Sequence, residues 1–416
     1  MMRIRTTILA LVTLALSGCG TSQPAPSHEV RAPVARAPAS APAGDTAALA
    51  AGNATFAGRL LDLLSRTQPT IALSPFSISD VLAMAYAGAQ GETASQMAAA
   101  LDFRLPPDRL HPAFNALNLS LAAINRPGAT LSVANALYGQ QGLAFRSAFL
   151  ALLARDYGTG VRTVDFEHAA QAARVQINAW VSLQTHGRIP NLLAPGDVGE
   201  ATRLVLVNAV YLNAKWQSPF LRSATSPAPF HAPSGTVNVP TMSQTGTFGY
   251  RRHTGYSVLE LPYVGGRLAF DVLLPDPGRL PALMRHLRDG GLAAAVSGLQ
   301  GQNVELQLPK LQLRTRFELS SALGALGMPI AFGDRADFAG IAGPPGELRI
   351  SSVIHEAYIR VDEAGTEAAA ATAAGFSSAA APGPRPIQFL VNRPFVFVLR
   401  DTTTNAILFT GTVSQP

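Results

Sequence analysis

The sequence predicts an α+β domain, and three patterns predict it. Apolar residues recur at helical spacing early in the chain, the later half is mostly strand, and several of its strands are long, which points away from a parallel βαβ series. Between Asp45 and Asp102, "NATFAGRLLDLLSR" and "SISDVLAMAYAGAQ" each place apolar residues at i, i+3, i+4 and i+7. Ser79 and Asp80 are positioned to cap the second helix, and Gly88 with Gly91 ends it. "TIALSPF" between the two reads as a short buried strand.

From Ala129, "ATLSVANALYGQ" is β-leaning; the helix "FRSAFLALLARDYG", the strand "GVRTVDF" and the helix "AAQAARVQINAWVSLQTHG" follow. "RLVLVNAVYLNAKW" is apolar at nearly every position, as a central strand buried on both faces would be. The remaining strands are "SVLELPY", "LAFDVLLPD", "VELQLPKLQL", "ISSVIHEAYIRVD", "PFVFVLRDT" and "AILFTGTVS". Arg104 to His111, Pro195 to Glu200 and Pro227 to Gly235 are short interruptions, and none resembles an interdomain linker. Residues 46–416 therefore read as one domain, although single cores ordinarily stop growing near ~250–300 residues.

The chain opens with Arg3 and Arg5, an apolar run from Ile8 to Leu16, and Leu16-Ser17-Gly18-Cys19. A basic start, a short apolar middle and small residues before a cut describe a secretory signal over residues 1–18, whereas a membrane span needs ~20 apolar residues. With its cysteine at the end of "LSGC", the segment resembles a bacterial lipoprotein signal, which implies lipidation of Cys19 as the first mature residue. Gly20 follows where an aspartate would favour the inner membrane, so the expected location is the outer membrane, on its periplasmic or cell-surface side. The alternative is an ordinary signal with an incidental cysteine and an extracellular protein. Cys19 is the sole cysteine, so no intramolecular disulfide is expected. Residues 19–45, rich in Pro, Ala and Ser, read as a flexible tether.

The formal net charge is +6, but no Lys/Arg cluster is interleaved with aromatics, so a nucleic-acid partner is not expected. No G-x-S-x-G, G-x-x-x-x-G-K or G-x-G-x-x-G motif occurs. "HEAYI", from His355, lacks the second histidine of a zinc helix and follows Val353 and Ile354, which favour a strand. An enzyme, a metal site and a cofactor are all unexpected.

The stretch "DEAGTEAAAATAAGFSSAAAPGPRP", Asp362 to Pro386, is built almost wholly from small residues yet sits between strands. Alone, "EAAAATAA" is a helix former or a low-complexity loop. The flanks decide: "VDEAGTEAAAAT" followed by "FLVNRPFVFVL" resembles the reactive-loop hinge and C-terminal signature of the serpin family. "LSPFSISDVLAMAYAGAQGETASQM", "LSVANALYG", "INAWVSLQTHGRIPNLL", "LVNAVYLNAKWQSPF" and "LELPY" resemble serpin segments in the family's order, from Asn53 to Val413.

The resemblance implies a single-domain serpin fold of about eight or nine helices and three β-sheets, with an exposed reactive-centre loop at about 363–386. It implies a serine protease inhibitor that is cleaved, forms an acyl-enzyme, and traps the protease by inserting its loop into the central sheet, a known case of strand addition. The partner is then a target serine protease in a covalent complex, and the inhibitor acts as a monomer without a cofactor. Glu363 starts the hinge, Gly365 and Thr366 form its pivot, and Glu367, Ala368, Ala369, Ala370, Ala371 and Thr372 continue it. Strand alternation turns Thr366, Ala368, Ala370 and Thr372 to one face and Glu367, Ala369 and Ala371 to the other. About fourteen inserted residues would span roughly 45 Å.

The family's hinge-to-bond distance, counted from Glu363, puts the cleaved bond at Ala379-Ala380, to within a few positions because 380–386 is longer than in familiar members. Alanine there suits elastase-like and subtilisin-like proteases. Phe376, the alternative site, would suit a chymotrypsin-like one. Ser74, Ser77, Asn208 and His355 match the family's shutter under the central sheet, Trp216 matches its aromatic where insertion begins, and Asn392 to Phe395 match its C-terminal signature. The competing function is a non-inhibitory serpin-fold binding or scaffold protein of the cell envelope, against which the small hinge residues argue.

Overall fold

The computed structural model describes residues 27–366 and 385–416. Cys19, Glu367, Ala368, Ala369, Ala370, Ala371, Thr372, Phe376, Ala379 and Ala380 lie outside the described residues.

Among the described residues there are nine α-helical segments: α1 (Ala43–Ser65), α2 (Pro75–Tyr86), α3 (Gly91–Ala100), α4 (Pro107–Ala122), α5 (Ser147–Leu152), α6 (Phe166–Gln184), α7 (Leu280–His286), α8 (Leu292–Ala295) and α9 (Ser320–Ala325). The expected cap of α2 is misplaced. Pro75 opens the helix, where its fixed φ suits the first turn and its missing N–H is not needed. Ser79 and Asp80 therefore sit inside the helix, both buried. Pro107 starts α4 in the same way, within the stretch expected to be an interruption.

The first sheet runs β1 (His28–Val30), β4 (Val161–Val164), β3 (Ala129–Gln140), β5 (Leu204–Lys215), β13 (Gly365–Thr366), β12 (Ser352–Asp362) and β11 (Leu311–Glu318). β5 is buried on both faces, which accounts for its unbroken apolar run. On one side Val205, Val207, Ala209 and Tyr211 pack with Ile354 and Tyr358 against Phe166, Ile177 and Val181 of α6. On the other, Leu204, Leu206, Val210 and Leu212 join the main core with α1 and α2.

The second sheet runs β14 (Ile387–Leu390), β10 (Gln300–Pro309), β7 (Gly235–His253), β8 (Tyr256–Pro262), β9 (Leu268–Pro275), β15 (Phe395–Asp401), β16 (Ile407–Val413) and β2 (Ile71–Leu73), with β6 (Ser226–Ala232) paired to β7. The 19-residue β7 joins the two outer sheets of the expected three into one hydrogen-bonded ladder. "VELQLPKLQL" is broken at Lys310 into β10 and β11, which belong to different sheets. Pro227 to Gly235 is a hairpin rather than an interruption.

The flexible tether expected over 19–45 is corrected from its first described residues. β1 adds antiparallel to β4 at the sheet edge, and the following segment is fastened by Ala37 N–H to the Arg155 carbonyl at 2.8 Å. Few apolar residues are needed for this, because backbone hydrogen bonds to an open strand edge do the holding. α1 itself begins at Ala43, slightly before the expected boundary.

Candidate functional site

Two regions of the first sheet bring the expected residues together. The lower one lies where β3, β5 and β12 run side by side. Asn135 stands opposite Asn208, and Asn208 opposite His355, so three polar side chains share one level and one face. The start of α2 packs beneath them. Ser77 Oγ donates to Asn135 Oδ1 at 2.7 Å and accepts from Asn208 Nδ2, which also donates to Asn135 Oδ1.

His355 is fully buried, and its partners fix its tautomer. The Ser74 N–H donates to Nε2 at 3.2 Å, which leaves the ring proton on Nδ1, from where it is donated to Asn208 Oδ1. Burial holds the imidazole neutral by pushing its pKa down to about 3. Ser74, Ser77, Asn208 and His355, separated widely in sequence, thus form one hydrogen-bonded cluster.

Sequence reasoning missed three of its members. Asn135 Nδ2 donates to Asp80 Oδ2, and Asn118 Nδ2 donates to Asp80 Oδ1, both at 2.7 Å. The available signal was polar residues in apolar surroundings: Asp80, buried on the core face of a helix, and Asn135, half-buried within an apolar strand.

The upper region lies above the stretch where β5 and β12 pair. β5 and β12 pair directly, in parallel, from Val205 with Ser352 to Tyr211 with Tyr358. Above that level they part. The chain leaves β12 at Asp362, turns through Glu363 and Ala364, and returns as β13 between them. Thr366 pairs with Ala214 on one side and Val361 on the other, both antiparallel.

Gly365 has φ +152°, and a Cβ there would lie 2.1 Å from the Ala214 carbonyl oxygen, so only glycine fits between the two backbones. Thr366 is completely buried and its hydroxyl meets the Tyr263 hydroxyl at 2.5 Å. Trp216 covers the turn: Nε1 donates to the Asp362 carbonyl at 2.9 Å, its backbone N–H donates to the Ala364 carbonyl at 3.0 Å, and its ring stacks on Tyr263 at 4.5 Å.

Glu363 is held from two sides. Lys310 Nζ, at the break between β10 and β11, donates at 2.8 and 3.0 Å to its two carboxylate oxygens, and Thr225 Oγ1 donates at 2.9 Å. Burial pushes this carboxyl up, but the bonds from Lys310, its own N–H and Thr225, with the Lys310 charge, hold it below the ordinary range. Neither Lys310 nor Thr225 was singled out by sequence. At the far end of the loop, β14 adds in parallel to β10, and Arg393 Nε donates to the Pro275 carbonyl at 2.8 Å.

Comparison with known proteins agrees with this geometry. The family model "Serpin (serine protease inhibitor)" matches residues 51–416. A leukocyte elastase inhibitor of Sus scrofa is 40% identical over 88% of this chain and 99% of its own. A serpin-like protein of Thermococcus kodakarensis is 38% identical over 87% of this chain and 84% of its own. The crystal structure of Serpin48 from the insect Tenebrio molitor superposes with a TM-score of 0.78 at 32% identity, covering 88% of this chain and 98% of that one. A two-residue strand wedged at the mouth of the central sheet, a polar cluster beneath it and a match over nearly the whole chain lead to one statement: the chain belongs to the serpin family.

Proposed function

We propose that the chain inhibits a serine protease by offering its loop as a substrate and inserting the cut loop into the first sheet before the acyl-enzyme can hydrolyse. The observation that carries this is β13. Gly365 and Thr366 already occupy the top of the slot between β5 and β12, in the antiparallel sense that a longer insertion would continue.

Continuing that register is arithmetic. Six residues beyond Thr366 is Thr372; six residues back from Ala214 is Asn208, and six back from Val361 is His355. The two strands also end together, since Val205 and Ser352 would both meet Gly375. Residues 367–375 therefore fill the slot, a run of roughly 30 Å, with nothing larger than Glu367. Ala368, Ala370, Thr372 and Ala374 would turn to the face that carries Thr366. Insertion exchanges one parallel ladder for two antiparallel ones and satisfies the new strand on both sides. Small inward side chains make the passage fast, and speed decides whether the protease is trapped or released.

The proposed cut is Ala379-Ala380, with Phe376 the alternative, and the proposed target class is elastase-like or subtilisin-like. The elastase inhibitors among the relatives support the first of these. Lipidation of Cys19 and attachment to a bacterial outer membrane belong to the same proposal and rest on the sequence "LSGC"; action as a monomer belongs to it too, since loop and slot lie in one chain. The chain is consumed in the reaction rather than turning over.

Mixing the protein with pancreatic elastase or subtilisin should give an adduct that survives boiling in SDS, and mass spectrometry of the released peptide should place the cut. Cleaved loop alone at every ratio, with no adduct, would overturn the inhibitory reading.

A further inference from the structure

A cavity of about 290 Å³ opens beside the lower polar cluster, between α2, α4 and β3. Asp80, Asn118, Asn135 and Tyr157 line it, together with Arg36, which comes from the segment after β1. Arg36 Nε donates to Asn115 Oδ1 at 2.9 Å, and Asn115 Nδ2 donates back to the carbonyls of Ala37 and Pro38 at 2.9 and 3.2 Å. Arg36 Nη2 is buried and makes no hydrogen bond, so the guanidinium is held at the cavity by its other end and by charge. Burial pushes the Asp80 carboxyl up, while the bonds from Asn118 and Asn135 and the charge of Arg36 pull it back.

The segment's upstream end is fitted as closely. Glu29 Oε1 accepts from the Gly160 N–H at 2.7 Å, and its carboxylate pairs with Arg162 at 3.5 Å. A Cβ on Gly160 would fall 2.2 Å from the Val30 carbonyl oxygen and 2.9 Å from Arg31 Cβ. The three atoms nearest to it all belong to this segment, so the glycine is small where the segment passes over it.

We propose that residues 28–38 form a strap that locks the first sheet closed, with the cavity as a site for the Arg36 guanidinium and Asp80 as the link to the shutter. The path is continuous. Arg36 shares its cavity with Asp80, Asn135 holds Asp80 and also Ser77 and Asn208, and Asn208 holds His355, whose Nε2 accepts from Ser74. With the strap in place the Asp80 carboxylate is countered and keeps Asn135 aimed at the cluster. With the strap gone, a buried carboxylate is left with no opposing charge, and the cheapest relief is to admit water by parting β3 from α2.

Two full-length variants test this. Gly160→Ala adds a methyl group whose three nearest neighbours are strap atoms, and Arg36→Met keeps the chain length while removing the charge. In both, the Val30 and Ala37 amides should lose exchange protection, and the Ser74 amide, more than thirty residues away, should exchange about tenfold faster or more. The unfolding midpoint of the uncleaved protein should fall with it. Strap amides that exchange freely in the parent chain would overturn the docking. Strap amides released in the variants with Ser74 exchange and the midpoint unchanged would overturn the coupling. Neither readout uses a protease, so failure here is distinct from failure of the inhibitory reading.

Discussion

His355 and Asn208 face each other across the parallel ladder of β5 and β12, and the imidazole donates from Nδ1 to the Asn208 side-chain oxygen while its Nε2 accepts from Ser74. The bond needs a neutral ring. A second proton would sit on Nε2 against the Ser74 N–H, donor facing donor.

Stability should therefore depend on pH through this ring. Its folded pKa, about 3, lies below the ordinary histidine value of about 6.5, so the unfolded chain takes up a proton first as pH falls. The contribution is whole above about pH 6.5 and is lost progressively toward pH 3, at up to about 1.4 kcal/mol per pH unit. Urea unfolding of the parent chain and of His355→Gln between pH 7.5 and pH 4.5 should give a steeper acid-side loss in the parent. Parallel curves would remove His355 as the titrating group.

Glu363 and Lys310 tie the start of the hinge to the break between β10 and β11. Lys310→Met leaves the Glu363 carboxylate with one side-chain donor, Thr225, and should cost about 1–3 kcal/mol in the uncleaved protein. The freed turn should also open the top of the slot. Size-exclusion chromatography after mild heating should show more oligomer than in the parent chain, by pairing of the slot with a neighbour's strand. A variant that keeps the parent's midpoint and remains monomeric would mean that the ion pair holds nothing closed.

Gly365→Ala is a sharper test of β13. The new methyl group would meet the Ala214 carbonyl at a φ that alanine avoids, so the pivot must leave the slot or drag β5 with it. Adduct with elastase should fall and cleaved inhibitor should rise, because the first step of insertion is now uphill. Adduct yield equal to that of the parent would show that insertion does not begin from this pivot.

Much of the fold was legible because its period is plain. β5 announced itself by an apolar run with no polar face, and α1 and α6 by their spacing. The strap was not, since three residues of β1 carry no pattern and are held by an edge that exists only after β3 and β4 have paired. α2 was shifted by a turn because Ser79 and Asp80 resemble a cap in one dimension, and only the packed helix shows both inside. Of the site, Ser74, Ser77, Asn208 and His355 came from family resemblance. Asn135 and Asp80 belong to the same hydrogen-bonded cluster, but their roles arise from the packing of a strand and a helix far apart in sequence, which no local motif records.

The register of β13 makes the last prediction. If insertion continues without a slip, the Thr372 hydroxyl arrives between Asn208 and His355, where it can accept from Nδ1 and donate to the Asn208 oxygen as their direct bond is broken. Thr372→Val keeps the shape and removes both bonds, so it should lower the stability of the cleaved form by about 1–3 kcal/mol and leave the uncleaved midpoint in place. Thr372→Glu would bring a carboxylate into a dry cluster and should stall the strand halfway, raising the amount of inhibitor consumed per protease trapped. Guanidinium unfolding of the cleaved forms reads the first effect, and titration of residual protease activity reads the second. A cleaved Thr372→Val form as stable as the parent would mean that the strand enters in another register, and the arithmetic from Ala214 and Val361 would fail with it.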